Sequence, residues 1–497
     1  MERQKPRTDA GGDRFGALVL GLALGLIALH RIYILFATDF PINDGGLFVA
    51  FVRGIADSFP ALPHTVQYNA LAIPFAYPPL SFWLAAAATK LGIDAIAIVH
   101  VAPILMNIGF ASLFALLLTR GHSRLFAGVA LLFFASNLRS LEWLVMGGGL
   151  SRGLGSLFLL ASLLAVRVPD GRPAVPLHRM ALAGAAIGAT ILSHFEWGID
   201  AAAAVVLARA LGSRSLREFL TGTTVAAAVA MLVVAPWFLF VWSAQGLAPF
   251  LAAGGSSDWG EGLGHLRTLA VASLHNPFLA IGGLLVLWRR AFFWPGFILI
   301  CTLLTPRHSP SPLALPVAVL SAYGLIAFGQ WLARHLRPAL ASGLTAAAAA
   351  LVLLFPLDAW YLAKVHPFRP LPAAELQAMA WARNNHPGEA FFVLTDQPWW
   401  YDASAEWFPI LANARSINTV QGWEWMPDGA FRKRYDLDLF MKKSRTCEAL
   451  LGRMTAFGQP RFIWTSVNRR CFDPRFPKVF KNDAVTIYAV PPGSAIG

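Results

Sequence analysis

Charged residues are scarce in this sequence. Asp, Glu, Lys and Arg make up 13% of the 497 residues, whereas soluble globular proteins carry roughly 25%. The mean hydropathy is +0.56. Apolar stretches of about 20 residues, the length that spans a bilayer, recur from Gly16 to Trp360. The deficit of charge excludes a soluble globular protein and predicts a polytopic α-helical membrane protein.

Cysteine is also rare, and several metal and nucleotide motifs are absent. Only three cysteines occur, which excludes a disulfide-rich scaffold. The sequence has no HExxH, CxxC or P-loop pattern, so the chemistries that depend on those spacings are not indicated. Cys301 lies in an apolar stretch, which is typical of a small core residue.

Positive charge is unevenly distributed along the chain. The net charge is +13, but Lys and Arg cluster in short loops between apolar stretches, which indicates membrane topology and not nucleic-acid binding. Eleven spans are predicted, at 15–37, 95–119, 124–138, 150–166, 180–195, 197–211, 218–243, 267–287, 291–304, 313–333 and 340–361.

The distribution of Lys and Arg orients these spans. With the N-terminus in the cytoplasm, the predicted cytoplasmic segments hold sixteen Lys or Arg residues, and the outer loops before residue 362 hold six. This asymmetry follows the positive-inside rule. It requires segment 79–92 to lie along the outer membrane surface as a helix, with Phe82 and Trp83 as interfacial anchors. The odd number of spans then leaves the C-terminus outside.

The topology divides the chain into three parts. They are a cytoplasmic tail (1–14), a transmembrane domain (15–361) whose first outer loop is 38–94, and an extracytoplasmic region (362–497). The last region alternates helical patterns with the β-rich runs "AFFVL", "RFIWTSV" and "AVTIYAV", which predicts a small α/β domain. Because an outer compartment is oxidising, Cys447 and Cys471 are candidates for a disulfide there.

Unusual polar residues collect on the outer side of the membrane. Arg31 falls in the outer half of the first span, where a cation is costly and an anionic partner is expected. Carboxylates that lose solvation near lipid suit a general base, and arginines and histidines suit a phosphate. The outer loops carry Asp39, Asp44, His64, Tyr77, Glu142, His194, Glu196, Arg307 and His308.

Two motifs carry a resemblance to a known family. The first span ends in "DFPINDGG" and is followed by "AYPPLSFW". This layout resembles the GT-C superfamily of polytopic glycosyltransferases, in the style of protein O-mannosyltransferases and lipid A aminoarabinose transferases. The resemblance implies that the first outer loop supplies a catalytic acid and that the donor is a sugar on a polyprenyl phosphate. Tyr77 stands where the aminoarabinose transferases have a lysine.

The resemblance assigns expected roles. Asp44 is the better match to the catalytic acid and Asp39 the second, while Arg307, with Arg31 or His308, is expected to hold the donor phosphate. Expected substrate-binding residues are His64, Tyr77, Glu142, His194 and Glu196. The predicted protein is an inverting glycosyltransferase of a bacterial cytoplasmic membrane that needs no cofactor, with a divalent metal as an option. Its acceptor is a lipid, a glycan or a protein outside the cytoplasm.

Other interpretations stay open at this point. Asp39 and Asp44 precede proline or glycine and are also typical of turn formers. Glu142 is equally typical of a solvated interfacial residue. His194 and Glu196, two positions apart, share a metal only if the chain bends between them. The whole protein is alternatively a transporter of lipid-linked sugars, or a non-catalytic GT-C-like scaffold.

Overall fold

The computed structural model describes residues 10–166, 175–255, 264, 267, 276–354, 370–426, 429–467, 471–473 and 475–491. Helices dominate up to residue 354. They are α1 (Ala10–Ala37), α2 (Gly46–Ser58), α3 (Leu80–Lys90), α4 (Ala95–Gly121), α5 (Arg124–Ser136), α6 (Glu142–Val145), α7 (Gly149–Val166), α8 (Leu177–Ser193), α9 (Phe195–Gly212), α10 (Leu216–Gln245), α11 (Ala248–Gly255), α12 (Pro277–Trp288), α13 (Phe293–Leu304), α14 (Pro310–His335) and α15 (Pro338–Leu354).

Five of the described helices, α1, α4, α7, α10 and α14, are long and apolar enough to cross a membrane. The number rises to seven if each of two bent helix pairs counts as one span. In one pair α12 and α13 meet at 114°, and each has 12 residues, or about 18 Å at 1.5 Å per residue. Eleven crossing helices therefore stay a prediction. Parts of the predicted spans 267–287 and 340–361 lie outside the described residues.

The first outer loop is itself folded. It contains α2, an antiparallel hairpin of β1 (Thr65–Tyr68) and β2 (Leu71–Pro74), and α3. Helix α3 corresponds to the helix predicted at 79–92. Phe82, however, is fully buried, with its ring centroid 5.1 Å from that of Phe48. Its predicted role as an interfacial anchor is wrong, because the ring fills the apolar core of the loop. Trp83 is half-buried and donates its indole N–H to the Pro60 carbonyl at 3.0 Å.

The C-terminal part forms a mixed five-stranded sheet between helices. The helices are α16 (Ala373–Asn385), α17 (Ala403–Leu411), α18 (Ala430–Lys442) and α19 (Cys447–Met454), and the strands are β3 (Ala390–Leu394), β4 (Arg415–Ser416), β5 (Phe462–Thr465), β6 (Lys478–Lys481) and β7 (Thr486–Ala489). The strand order is β4–β3–β5–β7–β6. Strand β3 is parallel to both of its neighbours, and β7 is antiparallel to both of its own.

Strand β3 shows how the sheet joins the rest of the protein. Phe391 and Val393 pack with α16, α17 and the first outer loop, while Phe392 and Leu394 pack with α18 and α19. The alternation follows from the two-residue repeat of a strand. The predicted β-rich runs correspond to β3, β5 and β7, and Cys447 and Cys471 are joined by a disulfide with their Cα atoms 5.3 Å apart. One face of the sheet thus shares an apolar core with the loop that carries Asp44.

Candidate active site

Asp44 lies where the first outer loop meets the start of α7. Its Oδ1 accepts a hydrogen bond from the Gly148 N–H at 2.8 Å, and its Oδ2 lies 3.6 Å from Nη1 of Arg152. The side chains of Asp44 and Arg152 are 17% and 18% exposed. A carboxylate at a helix N-terminus is stabilised by the unpaired N–H groups and the helix dipole. Asp44 is therefore held rigidly while part of it remains accessible.

Two glycines permit this close approach. A Cβ added to Gly148 would lie 2.2 Å from Oδ2 of Asp44, and one added to Gly147 would lie 2.0 Å from the Asp44 carbonyl oxygen. No side chain fits at either distance. The glycine run 147–149 thus lets the Asp44 loop pass against the beginning of α7.

Arg152 connects Asp44 to an aromatic pair. Its guanidinium lies 5.0 Å from the centre of the Trp143 ring, and Trp143 stacks on Tyr401 with centroids 5.5 Å apart. The Tyr401 hydroxyl donates to Oε1 of Glu142 at 2.7 Å, and Glu142 also pairs with Arg139. Glu142 is fully buried. Both of its carboxylate oxygens contact protein groups, so the structure shows Glu142 holding the turn 399–401 and not lining a free surface.

Tyr77 contacts α7 and the C-terminal part of the chain. Its hydroxyl oxygen is 3.3 Å from Oγ of Ser151, and its ring centre is 5.2 Å from that of Trp425. Burial raises the pKa of Tyr77, and the Arg152 charge opposes this shift. Tyr77 is therefore a neutral hydroxyl at physiological pH, close to the residue that pairs with Asp44.

His194, Glu196 and His308 form a cluster nearby. Nδ1 of His308 lies 3.9 Å from Oε2 of Glu196, and the two imidazole rings are 5.0 Å apart. Arg152 and Arg307 both lie within electrostatic range of the three residues. Burial, reinforced by these arginines, lowers the pKa of His308 to about 3. The imidazole of His308 is therefore uncharged at neutral pH and adds no positive charge.

Arg307 also acts on the C-terminal region. Glu424 lies in the 3₁₀ turn Trp423–Trp425, where burial raises its pKa and the Arg307 charge opposes that shift. Arg152 and Arg307 thus bring two permanent positive charges to the space bounded by Asp44, Tyr77 and the histidine cluster. This is the arrangement that suits a phosphate.

Within the described part of the chain, three predicted residues have their contacts outside this group. Asp39 is exposed and interacts electrostatically with His100. His64 is exposed and stacks on Phe240 with centroids 5.4 Å apart. Arg31 is 1% exposed.

Arg31 differs from the expectation in a second respect. It donates to Oδ1 of Asn107 at 3.0 Å and to Oγ of Ser140 at 3.3 Å, and it lies 2.7 Å from Nδ1 of His30. Its partners among the described residues are neutral oxygen and nitrogen atoms, and its expected part in holding the donor phosphate stays a prediction. These contacts tie α1 to α4 and to the turn before α6.

Two site residues were missed from the sequence. Arg152 entered only as one of the outer charges, although an arginine just after a glycine run at a helix start was a usable signal. Glu406, on α17, is 6% exposed and accepts hydrogen bonds from the N–H groups of Gly45 (3.0 Å) and Leu47 (3.3 Å). Burial and the nearby Asp44 raise the pKa of Glu406. No local signal marks Glu406, because its partners lie some 360 positions earlier.

Comparison with known proteins defines the fold as that of GT-C glycosyltransferases. ArnT from Cupriavidus metallidurans bound to undecaprenyl phosphate is similar with a TM-score of 0.56 and 15% identity, over 98% of this chain and 99% of that chain. The apo state of the same ArnT is similar with a TM-score of 0.53 and 16% identity, over 93% of this chain and 97% of that chain. The mycobacterial arabinofuranosyltransferase AftD is similar with a TM-score of 0.51 and 17% identity, over 95% of this chain and 42% of that chain. No family model and no curated protein matches the sequence.

Proposed function

We propose that this protein is an inverting membrane glycosyltransferase that takes a sugar from a polyprenyl-phosphate donor. The observation that carries the proposal is the placement of Asp44. In a GT-C fold, its carboxylate is anchored by Gly148 and paired with Arg152 at the junction of the outer loop and α7. Arg307 adds a second positive charge to the same space.

The residues divide the reaction between a base and a phosphate site. Asp44 accepts the proton of the acceptor hydroxyl or amine while that atom forms a bond to the anomeric carbon. The bond between the anomeric carbon and the phosphate oxygen breaks, and its electron pair leaves with the phosphate. Arg152 and Arg307 stabilise the departing phosphate. Because attack comes from the face opposite the phosphate, the configuration inverts.

An apolar groove next to the site supports a lipid-linked donor. It has a volume of about 460 Å³ and runs between the start of α3, the end of α8 and α10, with Trp83, Trp237 and Phe240 in its walls. Trp237 packs in one cluster with Trp425, whose ring contacts Tyr77. The isoprenoid chain of the donor would occupy this groove. The ArnT structure that shares the fold contains undecaprenyl phosphate.

The location follows from the same proposal. The site would face the outside of a bacterial cytoplasmic membrane, with tail 1–14 in the cytoplasm and the domain 362–497 outside. That domain would cover the transmembrane domain 15–361 and select the acceptor, which is a lipid, a glycan or a protein. Arginines neutralise the phosphate, so the transfer step needs no cofactor.

Replacing Asp44 by asparagine tests the proposal. Asp44→Asn keeps the side-chain oxygen that accepts from Gly148 and removes the base. Membranes that hold the wild type or one of the variants are supplied with polyprenyl-phosphate sugars from a total lipid extract, and the rates of sugar transfer are compared. We expect Asp44→Asn to lower transfer by about 10²-fold or more, the size of a general-base contribution. Asp57→Asn, an exposed carboxylate of the same outer loop, is the matched control and should transfer normally.

The outcomes separate the candidates. Normal transfer by Asp44→Asn would show that Asp44 is a turn residue, and Asp39→Asn then tests the second candidate. Absence of transfer by the wild type with lipid, glycan and protein acceptors would favour a non-catalytic protein with this fold.

A further inference from the structure

His194, Glu196 and His308 come together from two separate places in the chain. His194 joins α8 to α9, Glu196 is in the first turn of α9, and His308 lies in the turn between α13 and α14. One possible ligand atom from each lies within 4.8 Å of those of the other two. We propose that these three side chains bind one Zn²⁺ ion.

The backbone break at His194 makes this convergence possible. Side chains two positions apart point to different sides of a continuous helix. Helix α8 ends at Ser193 and α9 begins at Phe195, with His194 extended at φ −156° and ψ 119°. The bend that a shared metal requires is therefore present.

The imidazoles have nitrogens that no protein group satisfies. His194 and His308 are 7% and 8% exposed, and Nδ1 of His194 and Nε2 of His308 are buried without a hydrogen-bond partner. A buried polar atom without a partner costs about 1–3 kcal/mol. A metal that bound one of these orphaned nitrogens would compensate for its loss of solvation, and a bound ion is the kind of group that such atoms indicate.

Neighbouring contacts hold the cluster in place. The Thr305 hydroxyl donates to Oδ1 of Asp200 at 2.8 Å, which ties the turn bearing His308 to α9 one helical turn beyond Glu196. The Trp197 ring packs against His308 with centroids 4.8 Å apart. The two sides of the cluster therefore keep their spacing without a metal.

The donor set and its dimensions favour zinc. Two imidazoles and one carboxylate leave a fourth tetrahedral position open, whereas Mg²⁺ and Ca²⁺ prefer oxygen ligands. With metal–ligand bonds of 2.0–2.1 Å, tetrahedral ligand atoms are about 3.4 Å apart. Nδ1 of His308 and Oε2 of Glu196 are 3.9 Å apart, and the three candidate ligand atoms lie within 4.8 Å of one another, so the side chains have to move closer together to bind the ion. Arg152 and Arg307 lie nearby, so an oxyanion suits the fourth position.

Metal binding by the purified full-length protein tests this inference. The protein is stripped with EDTA, incubated with Zn²⁺ and dialysed, and bound zinc is counted by mass spectrometry. Affinity is measured against a chromophoric chelator. We expect one zinc ion for each wild-type chain, and a loss of affinity in His308→Ala and Glu196→Gln at least as large as the ~10–100-fold that an outer-shell partner contributes.

Controls make the result independent of folding and of sugar transfer. His178→Ala removes an exposed histidine from the other end of α8 and should bind zinc like the wild type. Glu196→Gln preserves side-chain size, and its elution on size exclusion checks its fold. Substoichiometric zinc in the wild type, or equal affinity in Glu196→Gln and the wild type, would overturn the inference. The readout needs no donor or acceptor, so it does not depend on the proposed function.

Discussion

Glu406 connects α17 to the first outer loop, and its removal should loosen that loop. The carboxylate lies on α17 and accepts hydrogen bonds from the N–H groups of Gly45 and Leu47, at the start of α2. Asp44 immediately precedes these residues. Glu406→Ala would leave both N–H groups buried without a partner.

The structure sets the size of the effect. Each unpaired buried N–H costs about 1–3 kcal/mol, so Glu406→Ala should destabilise the closed loop by roughly 2–6 kcal/mol. That is a large part of the ~5–15 kcal/mol that stabilises a typical domain. Glu406→Gln retains an oxygen that accepts from the same donors and should cost about 1 kcal/mol or less.

The contact should also depend on pH. Burial and the Asp44 charge raise the pKa of Glu406 in the folded protein. A carboxyl whose folded pKa is raised contributes stability that is fully present below its unfolded pKa and is lost as the pH rises through the folded pKa. We therefore expect the loop to loosen as the pH rises above the usual range of glutamate. This part of the pH dependence should disappear in Glu406→Gln.

Amide hydrogen exchange is the assay. Because 1.4 kcal/mol corresponds to a factor of ten, the exchange of a peptide spanning residues 42–52 should accelerate by roughly 30-fold or more in Glu406→Ala. A peptide from α4 serves as an internal reference. The argument that these two hydrogen bonds hold the loop would be refuted if the peptide exchanged in Glu406→Ala at the wild-type rate. It would also be refuted if Glu406→Gln accelerated the exchange as much as Glu406→Ala.

Two further predictions concern Gly148, which contacts Asp44, and the disulfide between Cys447 and Cys471. Gly148→Ala should reduce sugar transfer, because the added carbon would lie 2.2 Å from the Asp44 carboxylate and displace it. The helix content measured by circular dichroism should stay unchanged. Full sugar transfer by this variant would contradict the packing of Gly148 against Asp44. Replacing Cys447 and Cys471 by serine opens a link between residues 24 positions apart and should cost about 3.5 kcal/mol by chain entropy. Proteolysis of the region 370–491 measures this loss of stability, and unchanged resistance to the protease would contradict the prediction.

Much of the architecture could be predicted because its signals are local. The break between α8 and α9, at His194, lies two residues before the predicted boundary between spans 180–195 and 197–211, and the three predicted β-rich runs are β3, β5 and β7. Helix starts also follow local rules: Asp94 accepts hydrogen bonds from the N–H groups of Ile96 and Ala97 at the start of α4. Short apolar helices such as α12 were harder to predict, since apolarity alone does not distinguish a helix that crosses the membrane from one half of a bent helix pair.

The partners of the site residues could not be predicted in the same way. His194, Glu196 and Arg307 were all expected on the outer side, and in the structure they lie near one another. Arg31 was expected on the same side, but its contacts lie elsewhere. These residues differ in the helix face on which each side chain lies once the helices have packed together. Such a choice depends on contacts between helices and not on the residue type.

The membrane class, many of the helix positions and three of the five C-terminal strands follow from the sequence alone, since hydrophobic periodicity and capping act over a few residues. Only the tertiary structure decided which groups meet Asp44. Gly148 lies 104 positions after it, and Glu406 contacts Gly45 across 361 positions. Pairings over such distances depend on how the outer loop, α7 and the C-terminal layer pack together, and no short stretch of sequence encodes that packing.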